Sequence, residues 1–449
     1  MPPVTDARRA TVAALLRIQE QGGYSNLVLE ELLTHNELAE ADRALASRLL
    51  YGVTERRLTL DYLLNKTAST PVKQMDPAVR EILRVGAYQL VYMDKTPAFA
   101  AIHEAVEQTR HFGCARLSGF VNGVLRQVQR QSMTLLSQLP ETDKGLELRH
   151  SVPRAWIRIW RRAYGEENLQ GLLTAFGQPA PAYIRVNTRK IAVADLQQRL
   201  EQAGIICSAV AGLPQALRVY PISTLRRLPE ELQTYFYIQD IASQWCCAAL
   251  EAKAGERVAD VCAAPGGKTM TVAQYMEDRG SIMAGDIHDH KCRALTERVK
   301  RYGFTSISIE QHDASQPHNQ ALCGTFDRVL CDVPCSGMGV IRRKPEIRYR
   351  QPEEYEELPA LQLQILNQAA TLVRPGGVLQ YSTCTLRPEE NEAVVAAFLG
   401  QNPQFSPRRL PLTTCFEAAG LPPSHQITLF PHLHGSDGFF IAGFYRNDV

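Results

Sequence analysis

Apolar residues in the first 135 positions recur at helical spacing. Asp76-Pro77 is a helix start, an N-cap residue followed by proline at the first helical position, and Val79, Ile82, Leu83, Gly86 and Leu90 then share one face. Ile102, Ala105, Val106 and Thr109 repeat the pattern over 98–112, and Phe120, Val121, Val124, Leu125 and Val128 over 117–130. No strand-like alternation interrupts them, so residues 1–137 are expected to form an all-α bundle. Gln138–Gly145 is polar with Pro and Gly and reads as a linker. A basic amphipathic helix follows around Trp156–Arg162, with Trp156 and Trp160 four apart and expected in a core. Tyr183–Asn187, Ile205–Val210 and Ala216–Tyr220 read as strands around a helix from Asp195 to Ala203. Residues 146–240 therefore predict a small α+β module.

From Gly255 the pattern changes. Arg257–Val261, Ser281–Asp286, Ile307–His312, Arg328–Asp332, Val378–Thr383 and Phe439–Tyr445 read as strands, mostly separated by helices. Strands alternating with helices predict a doubly wound α/β domain over 241–449, with a parallel sheet covered on both faces.

Composition changes this picture little. The 449 residues are 45% hydrophobic and 21% charged, ordinary for globular chains. Net charge is only +2, but residues 1–240 carry +5 and the remainder −3, so a polyanion would be held mainly by the N-terminal part. The start, Met1-Pro-Pro-Val-Thr5, has no apolar h-region, and no membrane span is expected. Eleven cysteines without a secretion signal read as reduced thiols of a cytoplasmic protein. No CxxC pair and no His spacing points to a metal.

Five features carry chemistry. Asp260-Val-Cys-Ala-Ala-Pro-Gly-Gly-Lys-Thr269 follows a strand and opens a helix, with small residues that admit a ligand close to the backbone. It is not a P-loop, because Cys262 stands where the first glycine is needed. Asp286 and Asp313 follow the next two strands, and an acid after the second strand commonly takes ribose hydroxyls. Asp332-Val-Pro-Cys335-Ser-Gly-Met-Gly339 and Tyr381-Ser-Thr-Cys384-Thr-Leu386 each place a cysteine at the carboxyl end of a strand, where open α/β sheets bind ligands. Two thiols, an acid and a cofactor-type turn fit methylation at carbon 5 of a pyrimidine. A thiolate adding to carbon 6 makes carbon 5 nucleophilic, and an acid near nitrogen 3 stabilises the developing charge. A thiol of pKa about 8.5 is only about 3% ionised at neutral pH, so such a site must assist ionisation. Arg342-Arg343-Lys344 flanks the Asp332 motif and is a candidate phosphate contact.

The strings CAAPGGKT, DVPCSGMG, YSTCTL and Asp437-Gly-Phe-Phe440 resemble the RNA cytosine-5 methyltransferase family that uses S-adenosylmethionine. DPAVREILRVGAYQLVYMD, AIHEAVEQTR and GFVNGVLR resemble the NusB RNA-binding fold. The resemblance implies a Rossmann-like methyltransferase domain preceded by a NusB-like domain and an α+β RNA-binding module, acting as a monomer on small-subunit ribosomal RNA before assembly is complete, with no role for DNA. It implies Cys384 as nucleophile, Cys335 as the assistant in proton removal and release, and Asp332 at the base and beside the cofactor. It implies Cys262, Ala263, Ala264, Pro265, Gly266, Gly267 and Lys268 around the cofactor's methionine end, Asp286 at its ribose, Asp313 near its adenine and Arg185 on RNA. Val333 departs from the family's usual Ala. In the DNA cytosine-5 enzymes the attacking cysteine follows proline, as Cys335 does, so the two thiol roles could be exchanged. Another RNA such as tRNA, or a non-catalytic assembly role, remains open here.

Overall fold

The structure is a computed structural model that describes residues 6–21, 28, 31, 38–411, 420 and 424–448. The leader-free reading of Met1–Thr5 lies outside them. The chain forms two compact units, residues 1–177 with 341–352, and residues 178–340 with 353–449.

The first unit is helical: α1 (Ala7–Gln21), α2 (Glu40–Glu55), α3 (Arg57–Thr67), α4 (Pro77–Tyr92), α5 (Ala98–His111), α6 (Ser118–Ser137), α7 (Asp143–His150) and α8 (Arg154–Phe176). Asp76 caps α4 as its sequence predicts, its Oδ1 accepting from the N–H groups of Ala78 (2.9 Å) and Val79 (3.3 Å). At Gly86 an added Cβ would lie 2.7 Å from Leu125, so the missing side chain sets how closely α4 packs on α6. The expected linker is shorter than read. Thr142 caps α7, and Gly145 lies so close to the Pro140 carbonyl that a Cβ there would sit 1.7 Å from it. Here Pro and Gly make a tight helix entry, where composition suggests a free connection. Trp156 and Trp160 are fully buried, as expected, with ring centroids 6.2 Å apart. Residues 341–352 pack within this unit. The Tyr349 hydroxyl accepts from the Arg57 N–H (3.1 Å) and lies 2.7 Å from the carbonyls of Thr54 and Glu55.

The second unit begins with β1 (Ala182–Val186), α9 (Val193–Gln202), β2 (Ile206–Val210), β3 (Leu213–Tyr220) and β4 (Phe236–Ile238). These strands form an antiparallel sheet of order β2-β3-β1-β4. Leu196 and Leu200 of α9 pack on Ile184, Val186, Leu217 and Val219 of one face.

Then come α10 (Ile241–Leu250), β5 (Arg257–Asp260), α11 (Gly267–Tyr275), β6 (Ser281–Asp286), α12 (Asp289–Tyr302), β7 (Ile307–Gln311), β8 (Phe326–Asp332), α13 (Leu358–Leu372), β9 (Val373–Thr383), α14 (Glu392–Gln401), β10 (Phe405–Pro407), β11 (Gln426–Leu429) and β12 (Phe439–Arg446). The large sheet runs β10-β12-β9-β8-β5-β6-β7, with β11 also on β12. Five adjacent strands, β9-β8-β5-β6-β7, are parallel, as the alternation predicts. The β12 strand is not. It pairs antiparallel with β9, β10 and β11, so the sheet is mixed at that edge. Side chains alternate between two cores: Val258 and Ile282 meet α10, α11 and α12, whereas Ala259, Val329 and Leu379 meet α13 and α14. Strand order reverses between β5 and β8, and ligands in such sheets bind beyond the carboxyl ends at that switch point.

Candidate active site

Because β5 to β9 are parallel, their carboxyl ends lie along one edge, and the predicted residues sit there. Asp260 ends β5, Asp286 ends β6, Asp313 lies two residues past β7, Asp332 ends β8 and Cys384 follows β9. Asp260, Asp286, Asp313 and Asp332 all act on the Cys262 thiol, which burial first and these acids second push well up, so it is inert as a nucleophile. Burial likewise pushes the Cys246 thiol up to about 12 and holds Cys247 and Cys331 high.

Cys335 and Cys384 are different. Both are partly exposed, and their Sγ atoms lie 3.3 Å apart. The contact with Cys384, and then burial, raise the Cys335 thiol well above its ordinary value. Beside them, Asp332 accepts from Lys268 Nζ at Oδ2 and from Ser382 Oγ at Oδ1, each at 2.7 Å. Burial alone would lower the Lys268 pKa, but Asp332 holds the ammonium well above its usual range.

A buried network holds the two thiol loops together. Glu390 is fully buried, and its Oε2 accepts from the Ser336 N–H and from Gln362 Nε2, both at 2.9 Å. Asn391 accepts from the Thr383 hydroxyl (2.6 Å) and donates to the Thr385 carbonyl (3.1 Å), bracketing Cys384. Gly339 donates to the Cys384 carbonyl at 3.0 Å, and a Cβ there would lie 1.9 Å from the Gly438 oxygen.

The chain is similar to known proteins along nearly its whole length. A profile described as "16S rRNA methyltransferase RsmB/F" matches residues 247–445, the NusB family matches 5–130, and an RsmF/B-like ferredoxin-like domain matches 152–221. A Synechocystis protein named "Probable ribosomal RNA small subunit methyltransferase B" is 35% identical over 97% of this chain and 98% of its own length. A Klebsiella pneumoniae protein named "Ribosomal RNA small subunit methyltransferase B" is 32% identical over 97% of both. The chain belongs to the ribosomal RNA small subunit methyltransferase B family. Two solved structures resemble it. The crystal structure of PH0851 superposes with a TM-score of 0.81 at 25% identity, covering 98% of each chain. A methyltransferase homolog from Pyrococcus horikoshii gives 0.58 at 31% identity, covering 69% of this chain and 100% of that one. The bundle is thus NusB-like, the small sheet ferredoxin-like and the large sheet Rossmann-like.

Membership in the methyltransferase B family makes S-adenosylmethionine the cofactor, and the sheet edge fits it. A cavity of about 210 Å³ is lined by Gln239, Asp260, Cys262–Pro265, Lys268 and Asp332 among others. Gly266 adopts φ +93°, and a Cβ there would lie 2.1 Å from Leu295, so the turn needs glycine. Two buried atoms of the wall, Asp260 Oδ1 and Gln239 Nε2, have no hydrogen-bond partner among the described residues. An acceptor and a donor left open in the wall of one cavity suit the ammonium and carboxylate of a methionine end. Burial raises Asp260 from 3.8 to about 7. Asp286 Oδ1 accepts from the His288 N–H at 3.0 Å, whereas the Ser315 hydroxyl and N–H hold the Asp313 carboxyl below its usual range.

Arg185 requires a correction. It is fully buried, bonding Gln274 Oε1 at 2.9 Å and also Gln215, with its guanidinium 4.6 Å from the Tyr275 ring centroid. A side chain so enclosed has no surface to offer RNA. Arg342 and Arg343 are half-buried and Lys344 is exposed, in the segment that packs with the helical unit, and each engages a neighbour. Gln239, Glu390 and Asn391 escape the motif reading. The Arg387-Pro-Glu-Glu-Asn-Glu392 run directly after Leu386 was the available signal, since so many polar groups beside a strand end need a buried reason.

Proposed function

We propose that this chain methylates carbon 5 of one cytosine in small-subunit ribosomal RNA, with Cys384 as the attacking thiol. The Cys335–Cys384 contact at 3.3 Å beside Asp332 carries the reading. Bound at the CAAPGGK turn, S-adenosylmethionine supplies an electrophilic methyl group. Asp260 and Gln239 would hold its methionine end, and Asp286 and Asp313 its ribose and adenine side.

Cys335, kept protonated, donates to Cys384 Sγ and favours the thiolate there. Attack forms the Sγ–carbon 6 bond and sends the ring π pair toward carbon 5. Asp332 orients the base at its nitrogen 3 edge, and the Lys268 ammonium 2.7 Å behind it offsets charge collecting there. Once carbon 5 carries the methyl group, its proton must leave. That pair then re-forms the ring double bond as the Sγ–carbon 6 bond breaks. As that bond breaks, Cys335 gives its proton to the departing Cys384 sulfur, and the Cys335 thiolate so formed takes up the carbon 5 proton.

Cytosine stacked and paired in a helix cannot reach these thiols. The target is therefore unpaired or flipped out, which favours RNA not yet locked into a finished subunit. Arg342, Arg343 and Lys344 contribute phosphate contacts in this reading. The test is transfer of tritiated methyl from S-adenosylmethionine to protein-free small-subunit RNA, followed by nucleoside analysis. Label in 5-methylcytidine is expected. Label in another nucleoside, or label only when tRNA is supplied, contradicts the proposal.

A further inference from the structure

We infer that the outer half of the small antiparallel sheet is a stacking platform for a single-stranded segment of RNA, with Tyr220 as base-stacking residue and Arg218 as phosphate contact. The inference rests on the reading that this chain acts on RNA, and it names the surface that Arg185 does not provide.

The argument begins with register. On β3, Arg218 and Tyr220 are two apart and therefore on one face. Arg218 stands opposite Ser208 on β2 and opposite Tyr183 on β1, and Tyr220 stands opposite Ile206. This is the face on which Arg185, paired with Ala216, is buried. Toward β2 the same face emerges into solvent. Tyr220 is 71% exposed and Ile206 is 68% exposed, while Ser208 and Arg218 are exposed beside them. The opposite face is already filled by α9.

An antiparallel sheet holding a large aromatic ring and an aliphatic side chain in water as cross-strand neighbours is not stabilising itself. Apolar groups at such positions gain only when something covers them. Charge indicates the occupant. Residues 202–229 carry three arginines, Arg218, Arg226 and Arg227, and no carboxylate. Arg218 has neither a hydrogen bond nor an ion pair among the described residues. A free guanidinium one pleat from a solvent-facing phenol matches a polyanion whose bases present flat apolar faces. Base–aromatic stacking tolerates any base, and an arginine fixes the adjoining phosphate. A second copy of this chain is disfavoured, because a symmetric contact through this face would set one arginine-bearing, carboxylate-free surface against another.

The test uses the full-length protein and a fluorescein-labelled single-stranded oligoribonucleotide of mixed sequence. Tyr220→Ala is expected to weaken binding about tenfold, with Tyr220→Phe retaining most of it. Arg218→Ala is expected to lower the slope of log Kd against log salt by about 0.7, the loss of one phosphate contact on a single strand. S-adenosylmethionine affinity, measured calorimetrically on the same variants, should not change, which shows that they fold. Wild-type affinity and salt slope in the Tyr220→Ala/Arg218→Ala double variant would overturn the inference. A change in sedimentation behaviour without a change in RNA affinity would also overturn it, in favour of a self-association face. Oligonucleotide binding is read without methyl transfer, so failure of the cytosine assignment leaves this result intact and distinguishable.

Discussion

Cys335 Sγ and Cys384 Sγ are 3.3 Å apart although 49 residues separate them in the chain. The parallel pairing of β8 with β9 places Asp332 opposite Ser382, so the loops leaving both strands start side by side. The last ångströms are set by Glu390 and Asn391, which draw Ser336, Thr383 and Thr385 together. Glu390→Ala leaves the buried Ser336 N–H without its acceptor and Gln362 Nε2 with the Pro334 carbonyl alone, and is expected to destabilise the fold by about 2–4 kcal/mol. Asn391→Ala should slow adduct formation at least tenfold by freeing the Cys384 loop, with unchanged cofactor affinity. Urea denaturation, single-turnover kinetics and calorimetry check these outcomes. Wild-type adduct rates in Asn391→Ala would show that the network does not position the thiol.

The Lys268–Asp332 pair gives a second prediction. Replacing Lys268 by Met leaves the Asp332 carboxylate, partly enclosed, with only the Ser382 hydroxyl as a side-chain donor among the described residues. A loss of about 2 kcal/mol in stability is expected, below the toll for a fully buried pair because Asp332 is partly in water. The same change should slow single-turnover methyl transfer, because the cation 2.7 Å from Asp332 is then gone. An unchanged single-turnover rate contradicts this role.

Asp260 predicts a pH dependence. Its folded pKa of about 7 lies above the ordinary 3.8, so between these values the folded protein binds more protons than the unfolded chain. Its contribution to stability is complete below about pH 4 and is lost as pH rises to about 7, at up to about 1.4 kcal/mol per pH unit for one proton. Asp260→Asn should remove that slope from the urea midpoint measured across the window. In the same range cofactor binding should tighten with pH in the wild type, because the ionised carboxylate attracts an ammonium, and should be flat in Asp260→Asn.

Arg185 acts through folding. Arg185→Met breaks the buried bonds to Gln274 and Gln215, with an expected loss of about 3 kcal/mol in stability. Its RNA-binding salt slope should equal that of the wild type. A slope reduced by one phosphate contact in a folded Arg185→Met protein would restore the RNA role.

Much of this was legible in the chain because local patterns agree with the fold. Asp76-Pro77 starts a helix, β5 to β9 follow the predicted runs, and the motif residues gather because parallel strands share an edge. What was not legible depends on long-range packing. An arginine inside the strand Tyr183–Asn187 looks available to a ligand, yet its fate is decided by Gln274, some ninety positions away. The antiparallel direction of β12 depends on its pairing with β9, which a string of apolar residues does not encode. The helix at Asp143 was hidden because Pro140 and Gly145, breakers by composition, meet in a turn that only glycine permits. The roles of Gln239 and Glu390 come from one open amide and one buried carboxylate, visible only when neighbours are in place.

The central claim is the division of labour between the two thiols, and covalent trapping tests it most directly. Wild type, Cys335→Ala and Cys384→Ala are each mixed with S-adenosylmethionine and unmethylated small-subunit RNA and run on a denaturing gel. The account predicts a protein–RNA adduct that accumulates in Cys335→Ala and is absent in Cys384→Ala. An adduct in Cys384→Ala and none in Cys335→Ala would contradict it and make Cys335 the nucleophile.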